Sequence, residues 1–260
     1  MKITTWNVNG LRARLTHVVD FLRAEAPDVL CLQETKVEDH LFPRTVLEDE
    51  GYEVAYWGQK AYNGVAILAR DPITDVWRGL PDDPPDAERR VLGATVRGVR
   101  VLDLYVPNGQ DVGTDKYRHK LDWLRRLRML LDQRCAADEL LVVLGDCNVA
   151  LDDRDVHDPA WWRGRILCSD AERQAMRTVL AFPLVDLLRE FRSEGGIYTW
   201  WHYRANAAAA DDGLRIDYVF GTRAAAQRCT GVVVHKELRH HKSPSDHVPV
   251  TAIFRDEAPA

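Results

Sequence analysis

Apolar residues in this chain recur in short runs, separated by stretches with helical spacing, and the two patterns alternate from end to end. ITTWNV (3–8) opens as a short strand. Across 14–25, Val18, Val19, Phe21 and Leu22 share one face, as in an amphipathic helix. DVLCLQE (28–34) is nearly continuous in apolar residues and ends polar, the pattern of a strand covered on both faces. GVAILAR (64–70), VLGATVR (91–97) and VRVLDLYV (99–106) predict three more strands, the last two joined by a hairpin turn at Gly98. A second amphipathic helix is predicted over 116–131, with Leu121, Leu124, Leu127 and Leu131 on one side. LLVVLGD (140–146) reads as another buried strand. Helices are expected at 170–180 and 183–192, and LRIDYVFGT, VVVHKE and VPVTAIF supply the final strands. PDDPPD (81–86) reads as a loop, as does ANAAAADDG (205–213), although its alanines suit a helical turn. Neither divides the chain, and no repeat is visible, so one α/β domain over residues 1–260 is expected.

Composition narrows the class. With 260 residues, 46% of them hydrophobic, there is ample material for a core. MKITTWNVNG lacks the apolar segment of a secretory signal, and no run reaches the length of a membrane span. Cysteines 31, 135, 147, 168 and 229 are odd in number and form no CxxC pair. That disfavours a disulfide framework or a zinc site and favours a reducing cytoplasm. A formal net charge of −5 argues against a broadly basic nucleic-acid surface. A carboxylate-rich site holding a divalent cation would reverse the sign locally. Charge is also uneven, with seven lysines and arginines inside 116–134.

The polar residues carry the chemistry through their positions. Asn7 follows ITTW near the end of the first strand, and Gln33-Glu34 end the second. Tyr105 and Asn108 end VLDLYV, and Asp146 and Asn148 end LLVVLG. Asp217 sits within LRIDYVF, and Asp246-His247 precede VPVTAIF. Taken singly, each is an ordinary turn former, helix cap or core ring. Six β segments with such residues at their ends describe one cleft along a sheet edge. Carboxylate and amide oxygens without thiolates suit a hard cation, Mg²⁺ or Mn²⁺. Glu34 and Asp246 are the preferred ligands, with Asn7 and Asp146 close by. His247 beside a carboxylate can stabilise charge or handle a proton. Tyr105 and Asn148 offer neutral hydrogen bonds to a phosphoryl oxygen. The absence of a GxxxxGK[ST] loop disfavours an NTPase, and that of a GxSxG elbow disfavours a serine hydrolase. Residue types and spacing thus reach metal-assisted hydrolysis of a phosphodiester or phosphomonoester, with the substrate open.

WNVNGLRAR (6–14), LQETK (32–36), YVPNG (105–109), GDCN (145–148), LRIDY (214–218) and SDHVPV (245–250) together resemble the exonuclease III family of apurinic/apyrimidinic DNA endonucleases. DRDVHDP (153–159) is similar to the bacterial branch. The resemblance implies a DNase I-like four-layer α/β sandwich, two packed mixed β-sheets flanked by helices. It implies cleavage 5′ to abasic sites, leaving a 3′-hydroxyl, with 3′→5′ exonuclease and 3′-phosphodiesterase activity in base excision repair. The partner would be double-stranded DNA, especially abasic DNA and 3′ ends, with no membrane partner. A monomer is expected, in a bacterial-type cytoplasm and on the nucleoid by virtue of its substrate. At least one Mg²⁺ is implied, with Mn²⁺ substituting.

Carried onto this chain, Glu34 becomes the principal metal ligand, with Asn7 and Asp246 nearby. Asp146 would activate the attacking water, and Asn148 would orient it or stabilise the transition state, both within the metal's surroundings. Asp217 would hold His247 against the scissile phosphate, and Tyr105 would contact the same phosphate. Asn9, Gly10 and Arg12 resemble the DNA-backbone loop, where Gly10 would let a backbone N–H approach a phosphate. Lys36, Asn108 and Lys242 are expected as further DNA contacts, Lys36 with the alternatives of a charge partner to Glu34 or Asp246 or a solvated surface lysine. Trp200, Leu214 and Ile216 would line the pocket for an extrahelical abasic sugar. Trp201 is expected in the core, Cys147 as a packing thiol, and Arg215 as a structural strand residue with phosphate contact as the alternative. Arg125, Arg126 and Arg128 are expected on a solvated helix face, and His240 and His241 in a loop. QDVGTDKY and the 205–213 loop would set the balance of endonuclease and exonuclease action. A rival reading is a phosphoesterase of the wider superfamily acting on inositol or lipid phosphates. It would keep Glu34, Asp146, Asp217 and His247 without needing WNVNGLRAR. A silent DNA-binding module would require a broken site residue, and none is broken.

Overall fold

The computed structural model of the protein describes residues 1–203 and 207–255. In chain order its strands are β1 (Lys2–Asn7), β2 (Val29–Gln33), β3 (Glu53–Trp57), β4 (Val65–Ala69), β5 (Thr74–Arg78), β6 (Val91–Val96) and β7 (Val99–Tyr105). They continue with β8 (Leu141–Asp146), β9 (Val185–Asp186), β10 (Trp200–Trp201), β11 (Gly213–Leu214), β12 (Asp217–Gly221), β13 (Cys229–Val234) and β14 (Val250–Phe254). One six-stranded sheet has the order β13-β14-β1-β2-β4-β3, the other β5-β6-β7-β8-β12-β9. Both are mixed: β1/β2 and β7/β8 are parallel and the remaining pairs antiparallel.

Four layers follow from which faces are apolar. Ile3, Val29, Cys31, Val65 and Ile67 of the first sheet meet Leu92, Val101, Val142, Leu144 and Val219 of the second, forming the buried interior. The outer face of the first sheet presents Leu30, Leu32, Ala66 and Leu68 to Val18, Phe21 and Leu22 of the Leu11–Glu25 helix. The outer face of the second presents Leu102, Val143 and Phe220 to Leu124, Leu127 and Leu131 of the Asp115–Arg134 helix. Central strands buried on both faces explain why VLCLQ and LVVLGD read as runs rather than as alternations. Each fully buried aliphatic side chain stabilises the fold by about 1.5–3 kcal/mol.

Strand direction places the site. Parallel strands need a crossover, supplied by the Leu11–Glu25 helix between β1 and β2 and by the Asp115–Arg134 helix between β7 and β8. The four strands therefore end at one edge, where such folds bind ligands. β12 runs antiparallel to β8 with Asp217 opposite Asp146, so its first residue reaches the same edge. β14 runs antiparallel to β1, which brings the residues just before it there as well.

Several elements differ from the sequence reading. Residues 183–192 do not form a helix: Val185–Asp186 is strand β9, paired with β12, followed by a 3₁₀ turn over Leu187–Glu190. Pro183 has no N–H to donate, and Asp186 turns its carboxylate to Leu188 N and Arg215, which favours a turn over a continuous helix. Strands β3 and β5 were not anticipated. Both are sheet edges with half-exposed or exposed residues, so they lack the apolar signal of the central strands. The first helix begins at Leu11, directly after Gly10 at φ 104°. Gly98, at φ 74°, makes the predicted turn between β6 and β7. Ala207–Ala210 is a short helix; residues 205 and 206 of the expected loop lie outside the described residues.

Candidate active site

The GDCN turn at the end of β8 requires its glycine. Gly145 adopts φ 141°, and a Cβ there would lie 1.9 Å from Leu104 O. β7 and β8 thus approach closely enough to put Tyr105 directly beside Asp146 in the ladder. Asn148 follows at φ 48°, a left-handed conformation that asparagine tolerates. Its own N–H donates to Asp146 Oδ1 at 2.9 Å, and its side-chain amide donates to Val106 O at 3.0 Å and Asp146 Oδ2 at 3.2 Å. Asn108, exposed, donates to Asn148 Oδ1 at 3.1 Å.

The LQETK loop is fixed between two neighbours. Gly10 N–H donates to Glu34 O, Leu11 N–H to Thr35 O, and Lys36 N–H to Asn63 O. Glu34 itself has φ 52°, a conformation that costs a non-glycine residue of order 1–3 kcal/mol and occurs mainly where the surroundings fix it. Its carboxylate accepts from Asn7 Nδ2 at 2.8 Å and pairs with Lys36 Nζ at 2.7 Å. Asn7 also donates to Asp146 Oδ2 at 2.9 Å, so one buried amide joins an acid from each sheet. Lys36 is therefore a charge partner of Glu34 as well as a neighbour of Asn9, whose Oδ1 it also reaches.

His247 faces two carboxylates. Its Nδ1 lies 2.9 Å from Asp217 Oδ2 and its Nε2 lies 3.7 Å from Asp146 Oδ2. Thr199 Oγ1 donates to Asp217 Oδ2 at 2.6 Å and fixes that carboxylate beneath the ring. Burial works against the His247 cation, but Asp217, Asp146 and Asp246 outweigh it and lift the imidazole to about 10. Burial raises the Asp146 carboxyl to about 7, with the His247 cation opposing and Asp217 and Glu34 reinforcing. Tyr105 is pushed well above its ordinary value by burial and by Glu34, so it stands as a neutral phenol, with the Arg90 guanidinium 4.5 Å from its ring centre. Burial would raise Asp246, but the charge of His247 and hydrogen bonds from Trp200 and Asn9 hold it below the usual carboxylate range. Those bonds are Trp200 Nε1 at 3.0 Å and Asn9 Nδ2 at 2.9 Å.

These side chains line a cleft of about 380 Å³. Glu34, Tyr105, Asn108, Asp146, Asn148, Trp200, Ile216, Asp246 and His247 all border it, with Asp217 buried behind His247. Ligand atoms of Glu34, Asp146 and His247 come within 4.8 Å of one another, close enough to share an ion. With Asp217 and Asp246 added, four carboxylates face the cations His247 and Lys36, an excess of negative charge that a hard divalent cation would offset. Cys147 is buried, and burial raises its thiol well above the usual range, so no thiolate joins the oxygens offered to such a cation.

The second tier divides. Leu214 is buried behind Ile216, packed with Val156, Leu167 and Trp200, and does not border the cleft. Gly10 and exposed Arg12 open the first helix beside Asn9, and Lys242 is exposed at the other end of the SDH loop. Arg215 is 2% exposed and paired with Asp155 and Asp186, a structural residue as expected. Trp201 is fully buried in the core. Arg125, Arg126 and Arg128 pair with Asp122, Asp83 and Asp132. His240 closes a 3₁₀ turn, and His241 sits next to it with its ring against His17. Sequence reasoning missed Trp162, Ile166, Leu167, His202 and Tyr203 in the cleft wall, and Arg14, which donates to Asn9 O, Tyr203 Oη and Pro244 O. WNVNGLRAR contains Arg14, so its motif was visible even though its role was not.

Comparison with known proteins agrees with this geometry. The endonuclease/exonuclease/phosphatase family matches residues 4–247. Exodeoxyribonuclease III of Haemophilus influenzae is 30% identical over 267 residues, covering 98% of this chain and 100% of that protein. An exodeoxyribonuclease of Bacillus subtilis is 32% identical over 263 residues, covering 98% and 99%. A 3′ phosphatase from Neisseria bound to a product DNA hairpin superposes with a TM-score of 0.95 at 42% identity, over 98% of this chain and 99% of that one. An AP endonuclease from Archaeoglobus fulgidus gives a TM-score of 0.94 at 38% identity, with the same coverage.

Proposed function

The chain belongs to the endonuclease/exonuclease/phosphatase family, and on that premise we propose that its cleft hydrolyses DNA 5′ to abasic sites and at 3′ ends. It is an enzyme that hydrolyses phosphodiester bonds. The three activities expected of it share one chemical event. Incision 5′ to a lesion, removal of a 3′-terminal nucleotide and removal of a 3′ blocking group at its phosphodiester each break a P–O3′ bond and leave a 3′-hydroxyl.

The observation that carries the reading is the convergence of Asp146, His247 and Glu34 at one strand edge, with Asp217 locking the histidine from below. A divalent cation, Mg²⁺ with Mn²⁺ as substitute, suits the oxygens of Glu34 and Asp146, with Asn7, Asn148 and Asp246 around them. It would supply charge neutralisation at the phosphate. The remaining work belongs to the protein. Asp146, with its carboxyl near 7, takes the proton of the attacking water, which Asn148 orients. His247, held as a cation by Asp217, stabilises the charge that grows on the phosphoryl oxygens. Tyr105 donates a neutral hydrogen bond to the same group. The new P–O bond forms from water as the P–O3′ bond breaks, and the departing O3′ takes a proton from solvent water to leave as a hydroxyl, Asp146 releasing its own proton to solvent afterwards. Asn9, Gly10, Arg12, Lys36, Asn108 and Lys242 would meet the DNA backbone, and Trp200 and Ile216 would border the displaced sugar, with Leu214 supporting them from behind.

Among the described residues no helix is long and apolar enough to cross a membrane. A monomer working on DNA in the cytoplasm fits the reading. The test uses a labelled duplex with one synthetic abasic site beside an undamaged duplex with a recessed 3′ end, each with Mg²⁺ or EDTA. Metal-dependent cutting immediately 5′ to the lesion, with trimming of the recessed end, is the expected result. No cutting of either by folded protein, with hydrolysis of an inositol phosphate instead, would replace DNA as the substrate.

A further inference from the structure

Behind the cleft wall lies an ion pair that the chemistry above does not use. Lys120, from the Asp115–Arg134 helix, and Glu172, from the first turn of the Asp170–Leu180 helix, are both fully buried and in contact. An ammonium has three protons and no lone pair. Here they go to Glu172 Oε1, to Asn148 O at 2.6 Å and to Asn108 O at 3.1 Å. Glu172 Oε1 also accepts Leu167 N–H at 3.1 Å, while Oε2 accepts Ser169 N–H at 3.1 Å and Ser169 Oγ–H at 2.6 Å.

A buried ion pair is a poor way to stabilise a fold. Desolvation costs several kcal/mol per ion, and well-packed apolar residues commonly do as well or better. What this pair does is grip three backbone segments, and all three border the cleft: Asn108, Asn148 and Leu167. Two of the three are held where the backbone resists, Asn148 at φ 48° and Leu167 at φ 72°. The fit around the lysine is close: a Cβ on Gly109 would meet Lys120 Cδ and Ile166 Cδ1, each at 3.0 Å. On the cleft side, the Asn148 side chain bonds Asp146 and accepts from Asn108.

We propose that the Lys120–Glu172 pair is the positioning device of the cleft wall, holding Asn108 and Asn148 by their carbonyls and Leu167 by its amide. Both members are positioning residues, since neither borders the cleft. The proposal rests on the nuclease reading, because the wall it sets is the one that presents Asn148 to water and Asp146.

Two measurements test it. In the double variant Lys120→Met with Glu172→Gln both charges are gone, no lone buried ion is left, and Leu167 N–H keeps an acceptor. With its melting temperature near the parent's, this variant should lose about ten- to a hundredfold in kcat on 3′-end release, with KM changed less than about threefold. Lys120→Arg, which keeps the charge, should recover part of that loss. A folded double variant with parental kcat, or with its whole defect in KM, would overturn the proposal. The second measurement needs no substitution: the Leu167 amide in the native protein should be protected from hydrogen exchange as strongly as the Asp170–Leu180 helix behind it. Exchange at the rate of an open loop would overturn the proposal even where the double variant does not fold. A parent protein that cuts no DNA would instead fail the nuclease reading, and the exchange result would still stand by itself.

Discussion

Asp217 Oδ2 sits 2.9 Å from His247 Nδ1 while Thr199 Oγ1 holds the same oxygen at 2.6 Å, so the far nitrogen of the ring is aimed at the cleft in one protonation state. Asp217→Asn keeps the shape and removes the charge that makes the imidazole a cation. The expected outcome is a fall in kcat of at least about a hundredfold with little change in folding, as for other carboxylates that orient a histidine. Single-turnover kinetics beside circular dichroism would check it.

Asp146→Asn and His247→Ala should each lose at least about a hundredfold in cleavage, the usual scale for removing an acid–base or charge-stabilising group. The double variant should be little worse than the poorer single, because the two groups act on one step. A near-parental rate in either single variant would remove that residue from the mechanism.

Acid should slow the reaction by protonating Asp146. Burial raises that carboxyl to about 7 without a cation, and a bound cation would draw it down, so kcat/KM should climb with pH on the acid side and then level off, with the climb moving to lower pH as Mg²⁺ is raised. His247 gives the opposite sign in folding. Its proton is held more tightly in the native state, near 10 against 6.5 for the free side chain, so its contribution is complete below 6.5 and is lost as pH rises through 10. Urea denaturation at pH 7, 8 and 9 should show falling stability in the parent and a flatter trend in His247→Ala.

Mg²⁺ should raise the melting temperature in a concentration-dependent way, since a ligand of the native state stabilises it by mass action. Glu34→Gln should weaken that rise and the catalytic rate together. An undiminished thermal shift in Glu34→Gln would place the ion elsewhere.

Gly145→Ala should destabilise the protein by about 3 kcal/mol or more, through overpacking and a strained backbone together. Its Cβ has nowhere to go, with Leu104 O at 1.9 Å. An equilibrium denaturation curve close to the parent's would mean that β7 and β8 can separate.

The cleft was legible where chemistry sits at strand ends. Asn7, Glu34, Tyr105, Asp146, Asp217 and His247 each follow or precede an apolar run, and strand direction alone then brings them to one edge. The apolar runs made an α/β domain legible, while its four layers were implied only by the resemblance of the motifs to a known family. Less legible was what depends on turns. Trp162, Ile166 and Leu167 reach the cleft through an irregular segment with no period to read. The edge strands β3 and β5 are too exposed to show an apolar pattern. Lys120 was available to a stricter reading: it shares a helical face with Leu124, Leu127 and Leu131, which marks it as inward-facing among neighbours that are solvated.

The site joins segments that lie far apart in sequence. β1 pairs with β14, the amino group of Met1 donates to Phe254 O at 2.8 Å, and Asn7 shares its cleft with Asp246 and His247. A growing chain therefore carries Asn7, Glu34, Tyr105 and Asp146 well before it carries the histidine. On the proposed mechanism, cleavage would await His247 and the docking of β14. A truncation before residue 247 would remove His247 together with the strand that docks beside β1, so the order of residues along the chain ties the pairing of β1 to the arrival of the histidine.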